Sequence, residues 1–280
     1  MIGSGKMTTF FTKTSIGYSH LNDGKPCQDY SASYHDEERT IVTACDGHGG
    51  ALYVRSNYGS KFASDAAIKV LKELERSDFY KYTKKEICNR LRLQILCEWN
   101  TLVERHISKK AISKKECSNL DDDKLFRLKQ NPEKAYGTTL NAAMIFGNKL
   151  ICASIGDGGA FIIRKGELIP AISEDEETVA NLTYSMCQED AYEHLKVEIY
   201  DFSDLDGVVI CTDGFINPYQ SVENFKQKLI KPVCIKLQEG KHREINDFVL
   251  ELGQRIGIGD DVSFAIAMRT NISLRSYKRP

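Results

Sequence analysis

The stretch 46–50 reads Asp-Gly-His-Gly-Gly and puts a carboxylate and an imidazole on a glycine-rich turn. It follows the apolar run 40–45, which we predict to be a buried strand. An acid, a proton donor and a pliable backbone in one turn are typical of a metal-assisted hydrolytic site. Alone, the stretch could also be a strand-ending turn, in which His48 only hydrogen-bonds a neighbouring carboxylate.

Other predicted strands carry acids at their ends. The strand 150–156 runs into Asp157, the strand 208–212 runs into Asp213, and Asp260 lies just before the apolar run 262–268. Because the start of one antiparallel strand lies beside the end of its neighbour, these acids can meet at one edge. They would repel one another unless cations held them together. All-oxygen ligation suits Mg²⁺ or Mn²⁺ and indicates two-metal phosphoester chemistry.

The elements that must position these acids follow from the apolar periodicity. Strands are predicted at 8–16, 29–34, 40–45, 138–146, 150–155, 160–164, 197–202, 207–212 and 262–268, and helices at 56–74, 84–108, 221–237 and 243–256. We expect 138–164 to form a meander and 197–212 a hairpin. Strands that cluster in two blocks, each followed by helices, favour antiparallel sheets packed together and flanked by helices.

The length of 280 residues favours one large domain, which we place at 8–270. Within it, the charged segment 109–134 is expected to be a surface insertion. Its acidic triplet 121–123 is more often solvated surface than part of a calcium site. The last residues, 271–280, are expected to form a loosely held polar tail.

Composition excludes some classes of function. A net charge of −1 gives no global field that favours nucleic acid or an anionic membrane, so a negatively charged substrate must be held locally. The nine cysteines contain no Cys-x-x-Cys pair, which indicates reduced core thiols. The start of the chain lacks the apolar region of a signal peptide, and no apolar run reaches membrane-spanning length. We therefore expect a monomeric cytoplasmic protein.

Six motifs in chain order resemble those of the PP2C-type (PPM) metal-dependent Ser/Thr protein phosphatases, with a pattern closest to bacterial members. The resemblance covers about residues 10–269. It is carried by 27–29 (Cys-Gln-Asp), 46–50, 137–140 (Gly-Thr-Thr-Leu), 155–160 (Ile-Gly-Asp-Gly-Gly-Ala), 212–215 (Thr-Asp-Gly-Phe) and 259–263 (Gly-Asp-Asp-Val-Ser). It implies an α+β fold, a four-layer α-β-β-α sandwich of two antiparallel sheets flanked by helices.

The resemblance also implies roles for single residues. Oxygen atoms of six residues would hold two Mg²⁺ or Mn²⁺ ions and a weaker third: Asp46 as the bridge, the Gly47 carbonyl, Asp213 and Asp260 in the other ion's shell, Asp29 through water, and Asp157 at the third site. His48 would protonate the leaving seryl or threonyl oxygen. The implied activity is hydrolysis of phosphoserine or phosphothreonine in a protein substrate by a metal-bridging hydroxide, without a covalent enzyme intermediate.

The substrate-phosphate site departs from the family pattern. Many relatives carry an arginine four residues before the first acidic pair, where this chain has Gly24. Lys25 or His20 are the candidate replacements, although lysine lacks the bidentate fork of arginine. An alternative function therefore stays open: a catalytically weak or inactive module that binds a phosphoprotein or regulatory partner. A third possible function is that of a phosphatase that works within a partner-switching regulatory circuit.

Three further departures concern the metal site. Gln28 stands where the animal enzymes often have an acid, and Asn217 stands where many relatives have an aspartate of the third metal. The loss of that charge should weaken a third site. Asp261 stands where asparagine is common, and by register we take Asp260 as the ligand and Asp261 as its neighbour.

Overall fold

Ten strands form two five-stranded antiparallel sheets in the computed structural model, which describes residues 8–172, 183–219, 221–270, 272–275 and 277. Sheet I has the order β1-β10-β9-β6-β7, and sheet II has the order β2-β3-β4-β5-β8. The strands are β1 Thr8–Ser15, β2 Tyr30–His35, β3 Arg39–Cys45, β4 Leu140–Phe146, β5 Lys149–Ile155, β6 Gly159–Arg164, β7 Glu167–Pro170, β8 Lys196–Asp201, β9 Gly207–Cys211 and β10 Val262–Arg269.

Helices cover the outer face of each sheet. The described helices are α1 Tyr18–Asp23, α2 Ser56–Glu73, α3 Asp78–Lys81, α4 Lys84–Lys109, α5 Asp122–Gln130, α6 Ala191–His194, α7 Asp213–Ile216, α8 Val222–Phe225, α9 Lys231–Gln238 and α10 His242–Glu251. Of these, α2 and α4 cover sheet II, and α9 and α10 cover sheet I. Single-turn 3₁₀ segments lie at Pro132–Tyr136 and Asn217–Tyr219, and π-helical turns at Lys226–Ile230 and Leu252–Ile256.

Three apolar layers hold the sandwich together. One joins α2 and α4 to sheet II, another joins α9 and α10 to sheet I, and a third lies between the sheets. The middle layer uses small side chains such as Ala44, Ala143 and Ala265, which lets the two sheets approach closely. The predicted four-layer α-β-β-α fold class is confirmed.

The first two strands of the predicted meander, β4 and β5, do pair, but its third strand does not continue the sheet, and the predicted hairpin is wrong. β5 belongs to sheet II and β6 to sheet I, and in the same way β8 belongs to sheet II and β9 to sheet I. Each short link therefore crosses from one sheet to the other instead of joining paired neighbours. β5 and β9 are buried on both faces, so their apolar pattern does not indicate which sheet they join.

The segment 109–134 is tied to the start of α2 by a buried arginine. Arg55 is 1% exposed and donates to both carboxylate oxygens of Glu116, over 2.7 and 3.1 Å. Its guanidinium also donates to the carbonyls of Lys110 and Ala111 and to the Tyr136 hydroxyl. This part of the insertion is therefore fixed against the body of the protein.

The acidic triplet 121–123 begins a helix. Asp121 is the N-cap of α5 and accepts the Lys124 N–H over 2.8 Å, and the other two aspartates lie in the first turn. Both positions favour carboxylates because the N-terminus of a helix carries unpaired N–H groups and a positive dipole end.

The C-terminal segment is not loose throughout. Tyr277 is 3% exposed in the sheet I core, and its hydroxyl donates to Asp206 Oδ2 over 2.7 Å. Residues 271, 276 and 278–280 lie outside the described residues. All nine cysteines are free thiols, and six of them are buried. No helix in the described ranges has the length and apolar character needed to cross a membrane.

Candidate metal centre

Three aspartates from distant parts of the chain meet where the two sheets end. Asp46 follows β3 of sheet II, Asp157 lies in the link from β5 to β6, and Asp213 follows β9 of sheet I. One carboxylate oxygen of each lies within 4.8 Å of the others. The crossing between the sheets, which the sequence did not predict, is what brings Asp157 to this edge.

Burial and mutual repulsion make this cluster electrostatically unfavourable for ionised carboxylates. Burial raises the pKa of Asp46 well above its usual value, and the charges of Asp29, Asp213, Asp260 and Asp157 raise it further. Burial and the charge of Asp157 also raise the pKa of Asp213. A cluster of ionised carboxylates with these shifts is a strong acceptor for divalent cations.

Asp29 lies deeper than the other acids. It is 6% exposed, and burial followed by the charge of Asp261 raises its pKa well above the usual value. The Thr212 hydroxyl opposes this shift by donating to Asp29 Oδ2 over 2.8 Å. Asp260 lies at the exposed rim, where partial burial still raises its pKa.

The backbone at Asp46 is fixed by two threonines that precede β4. The Asp46 carbonyl accepts the Thr139 N–H over 2.8 Å and the Thr138 hydroxyl over 2.7 Å. The Asp46 N–H donates to the Thr139 hydroxyl over 3.0 Å. At the next position, a Cβ atom on Gly47 would lie 2.6 Å from the Gln28 carbonyl oxygen, so only glycine fits there.

His48 is held at the edge of the cluster. Its N–H donates to the Gly137 carbonyl over 3.1 Å, and its ring lies 4.9 Å from the Tyr53 ring. Burial lowers the pKa of the imidazole, and the negative charge of Asp157 opposes this shift. The structure thus places a half-buried imidazole within electrostatic range of an aspartate of the cluster.

The two neighbouring acids before β10 have different surroundings. Asp261 is buried and accepts the Gly17 N–H over 2.7 Å and the Gln28 N–H over 2.6 Å. In the described part of the chain, Asp260 accepts one backbone hydrogen bond, from the Asp261 N–H over 2.8 Å. Asp261 is therefore occupied in joining chain segments, whereas Asp260 retains carboxylate oxygen for a ligand.

The two candidate phosphate ligands have other contacts. Lys25 Nζ lies 3.0 Å from Asp23 Oδ2, and both side chains are 56% exposed. His20 Nδ1 lies 3.0 Å from Asp261 Oδ2, an ion-pair distance without hydrogen-bond geometry. His20 is thus directed toward the acid beside Asp260, and Lys25 toward its own loop.

Several residues that support the site carry no signal in the sequence. The Ser185 hydroxyl, which is buried, bonds the main chain of Thr138, and the Thr183 hydroxyl donates to Asp157 Oδ2 over 2.5 Å. Both lie in a polar segment without periodicity. Asn217 donates to Asp213 Oδ2 over 3.2 Å, as its position one helical turn further along the chain allows.

Comparisons with known proteins agree with this architecture. A family model described as "Protein phosphatase 2C" matches residues 16–249. A bacterial serine phosphatase aligns with a TM-score of 0.60 at 18% identity, over 95% of this chain and 98% of the other. The S. agalactiae serine/threonine phosphatase gives 0.53 at 19% identity, over 93% and 99%.

A third solved structure contains metal. The catalytic domain of the serine/threonine protein phosphatase PstP, in complex with two manganese ions, aligns with a TM-score of 0.54 at 17% identity, over 94% of this chain and 99% of that domain. A search of curated proteins finds no significant match. Structural matches at identities this low show a common fold alone, whereas the family model covers most of the chain. The chain belongs to the protein phosphatase 2C family.

Proposed function

We propose that this protein is a Mg²⁺- or Mn²⁺-dependent phosphatase that hydrolyses phosphoserine and phosphothreonine in proteins. The observation that carries the proposal is the cluster of Asp46, Asp157 and Asp213, whose carboxylate oxygens lie within 4.8 Å of one another. The donor set consists of oxygen atoms, which suits hard divalent cations and fits poorly with zinc or copper. Family membership supports the same class of reaction.

Each acid has a place in the proposed site. Asp46 would lie between two ions, with the Gly47 carbonyl as a further ligand of one and Asp213 and Asp260 as ligands of the other. Asp29, which is buried behind the cluster, would act through water. Asp157 would contribute to a weaker third site with Asp213. When bound, such ions activate water and neutralise the charge of a phosphoryl group.

His48 would supply the proton that the leaving group needs. A seryl or threonyl oxygen leaves as a strong base, so proton donation in the transition state lowers the barrier by an amount worth about 10²- to 10⁴-fold in rate. The imidazole has the right chemistry near neutral pH, and its ring is held against Tyr53 beside the aspartates. Gly24 stands where many relatives have an arginine that binds the substrate phosphate. Lys25 and His20 are the remaining candidates for that contact, and both are weaker ligands than arginine.

This incomplete phosphate contact is the observation that favours the second candidate function. Lys25 forms an ion pair with Asp23, and His20 is directed toward Asp261. A protein that keeps the metal site but holds phosphate loosely could bind a phosphoprotein or regulator with little or no turnover.

One experiment separates the two functions. We expect the purified protein to hydrolyse p-nitrophenyl phosphate and a phosphothreonine peptide with Mn²⁺, and to lose both activities with a chelator. Asp213→Ala, purified in the same way, controls for a contaminating phosphatase. Calorimetry that shows Mn²⁺ binding to the wild type, combined with no turnover of either substrate, would refute the enzyme and support the binding module.

A further inference from the structure

Gln28 contacts more parts of the site than any role assigned above requires. It lies in the loop between α1 and β2, directly before Asp29. Its N–H donates to Asp261, and its carbonyl accepts the Ser60 hydroxyl of α2 over 2.5 Å. Its side-chain amide, Nε2, donates to Ser56 Oγ over 2.7 Å and to the His48 carbonyl over 3.3 Å.

The imidazole of His48 is positioned by its backbone and by the Tyr53 ring. In the part of the chain that the structure describes, no hydrogen bond reaches either ring nitrogen. Three other contacts hold the residue: the His48 N–H donates to Gly137, the His48 carbonyl accepts from Gln28, and the ring packs on Tyr53. Among these three contacts, the Gln28 amide is the only side chain that hydrogen-bonds the His48 main chain.

We propose that Gln28 is a positioning residue that fixes the His48 peptide, and through it the imidazole, beside the aspartate cluster. The inference rests on the proposed function, because it takes His48 as the proton donor. Gln28 itself contacts neither substrate nor metal in this proposal.

The chemistry of the contact requires a carboxamide. The amide nitrogen offers two N–H donors, and here they reach two acceptors, the Ser56 hydroxyl and the His48 carbonyl. An ionised glutamate has only acceptor oxygens, so at this position it would face the His48 carbonyl with like partial charge. It would also bring another negative charge to acids whose pKa values are already raised. Glutamine and glutamate are therefore not interchangeable here.

The consequence for catalysis depends on the leaving group. A threonyl oxygen must be protonated as it leaves, whereas p-nitrophenolate is stable as an anion near neutral pH and gains little from a proton donor. A misplaced imidazole should therefore slow the phosphopeptide much more than the aryl phosphate. A general loss of folding or of metal would instead slow both substrates alike.

The test compares Gln28→Glu and Gln28→Met with the wild type. Both variants lose the N–H donor, but only the first adds charge, so an effect that they share reports the lost hydrogen bond. We expect kcat for a phosphothreonine peptide to fall by roughly 10- to 100-fold, and kcat for p-nitrophenyl phosphate by less than about threefold. Gln94→Glu, the same substitution at an exposed position of α4, should change neither.

Two further measurements make the result independent of turnover. Calorimetry should show Mn²⁺ affinity in Gln28→Met within about threefold of the wild type, because the lost group is not a ligand in this proposal. NMR of the His48 ring, assigned with His48→Asn, should show shifted or broadened signals in Gln28→Met and unchanged signals in Gln94→Glu.

The outcomes are distinct. Equal losses on both substrates, or a large loss of Mn²⁺ affinity in Gln28→Met, would overturn the positioning role. Unchanged His48 signals in Gln28→Met would overturn it as well. If the wild type hydrolyses neither substrate, the proposed function fails, and the His48 signals alone then decide whether Gln28 positions the imidazole.

Discussion

Two polar clusters lie near the start of α2, and they differ in whether their buried charges are neutralised by the protein. Before the helix, Asp46 and the other acids gather charges of one sign, and burial and repulsion raise their pKa values. At the first turn, the buried Arg55 meets a carboxylate, a phenol and two carbonyls. The hydrogen bond from Arg55 lowers the pKa of Glu116 to about 2.

The difference shows how to tell a ligand site from a structural one. At Arg55 each guanidinium nitrogen donates to the Glu116 carboxylate or to a neutral oxygen, so the cluster is complete within the protein and stabilises a loop. Around Asp46, no positive side chain in the described residues neutralises the carboxylates, so cations from outside the protein would have to do so. The sign of the pKa shift of the acids distinguishes the two clusters.

The largest expected effect comes from removing one charge from the aspartate cluster. Asp46→Asn should lower Mn²⁺-dependent hydrolysis by more than the roughly 10- to 100-fold that is typical for losing a partner of a metal ligand. In the absence of metal the variant should unfold at a higher temperature than the wild type, since repulsion among the acids is relieved. The measurements are phosphatase assays and calorimetric melting with chelator.

Asp204→Asn, at an exposed site outside the cluster, is the matched control and should change neither quantity. A metal-free Asp46→Asn variant that melts below the wild type would contradict the contrast between the two clusters, because it would mean that Asp46 stabilises the fold.

The next largest effect comes from removing the cation of the paired cluster. Arg55→Met leaves Glu116 and two carbonyls without their donor, so we expect a loss of about 3 kcal/mol in the free energy of unfolding. This lies at the low end of the range for buried pairs because the Glu116 side chain is 25% exposed. Urea denaturation measures the loss, and Arg90→Met, at a side chain that is 46% exposed, should lose far less.

The third effect is smaller and depends on pH. Because the folded-state pKa of Glu116 is depressed to about 2, its ion pair contributes stability above the unfolded-state pKa and loses it as pH falls toward 2. Glu116→Gln should therefore be less stable than the wild type at pH 6. The difference should shrink below about pH 4.5. Urea midpoints at several pH values test this, and a pH-independent difference would show that packing, and not charge, makes the contact.

Much of the fold could be predicted, because local patterns determine it. The β3 and α2 boundaries fall within a residue or two of the predicted ones, since apolar periodicity and the glycine-rich turn are local signals. The assignment of β5 and β6 to different sheets could not be predicted. Gly156, at a φ of 105°, turns the chain into the other sheet, but an Asp-Gly turn looks the same in a hairpin and in a crossing.

Asp46, Asp157, Asp213 and Asp260 could also be predicted, because each follows or precedes an apolar run. Their supporting residues could not. Gln28 bonds His48 and Ser56, and Thr183 bonds Asp157, across separations that no periodic pattern encodes. For Asp260 and Asp261, register predicts which acid is the ligand, and the structure adds which backbone groups each of them contacts.

The position of the aspartates at the ends of two different sheets has a consequence for the order of folding. Asp46 and Asp213 lie far apart in the sequence and on opposite halves of the sandwich. Their oxygens can approach only after both sheets have formed and docked across the middle layer, and such non-local contacts form late. A nascent or half-folded chain therefore lacks the aspartate cluster, and under the proposed function hydrolytic competence would appear only in molecules that have completed their assembly.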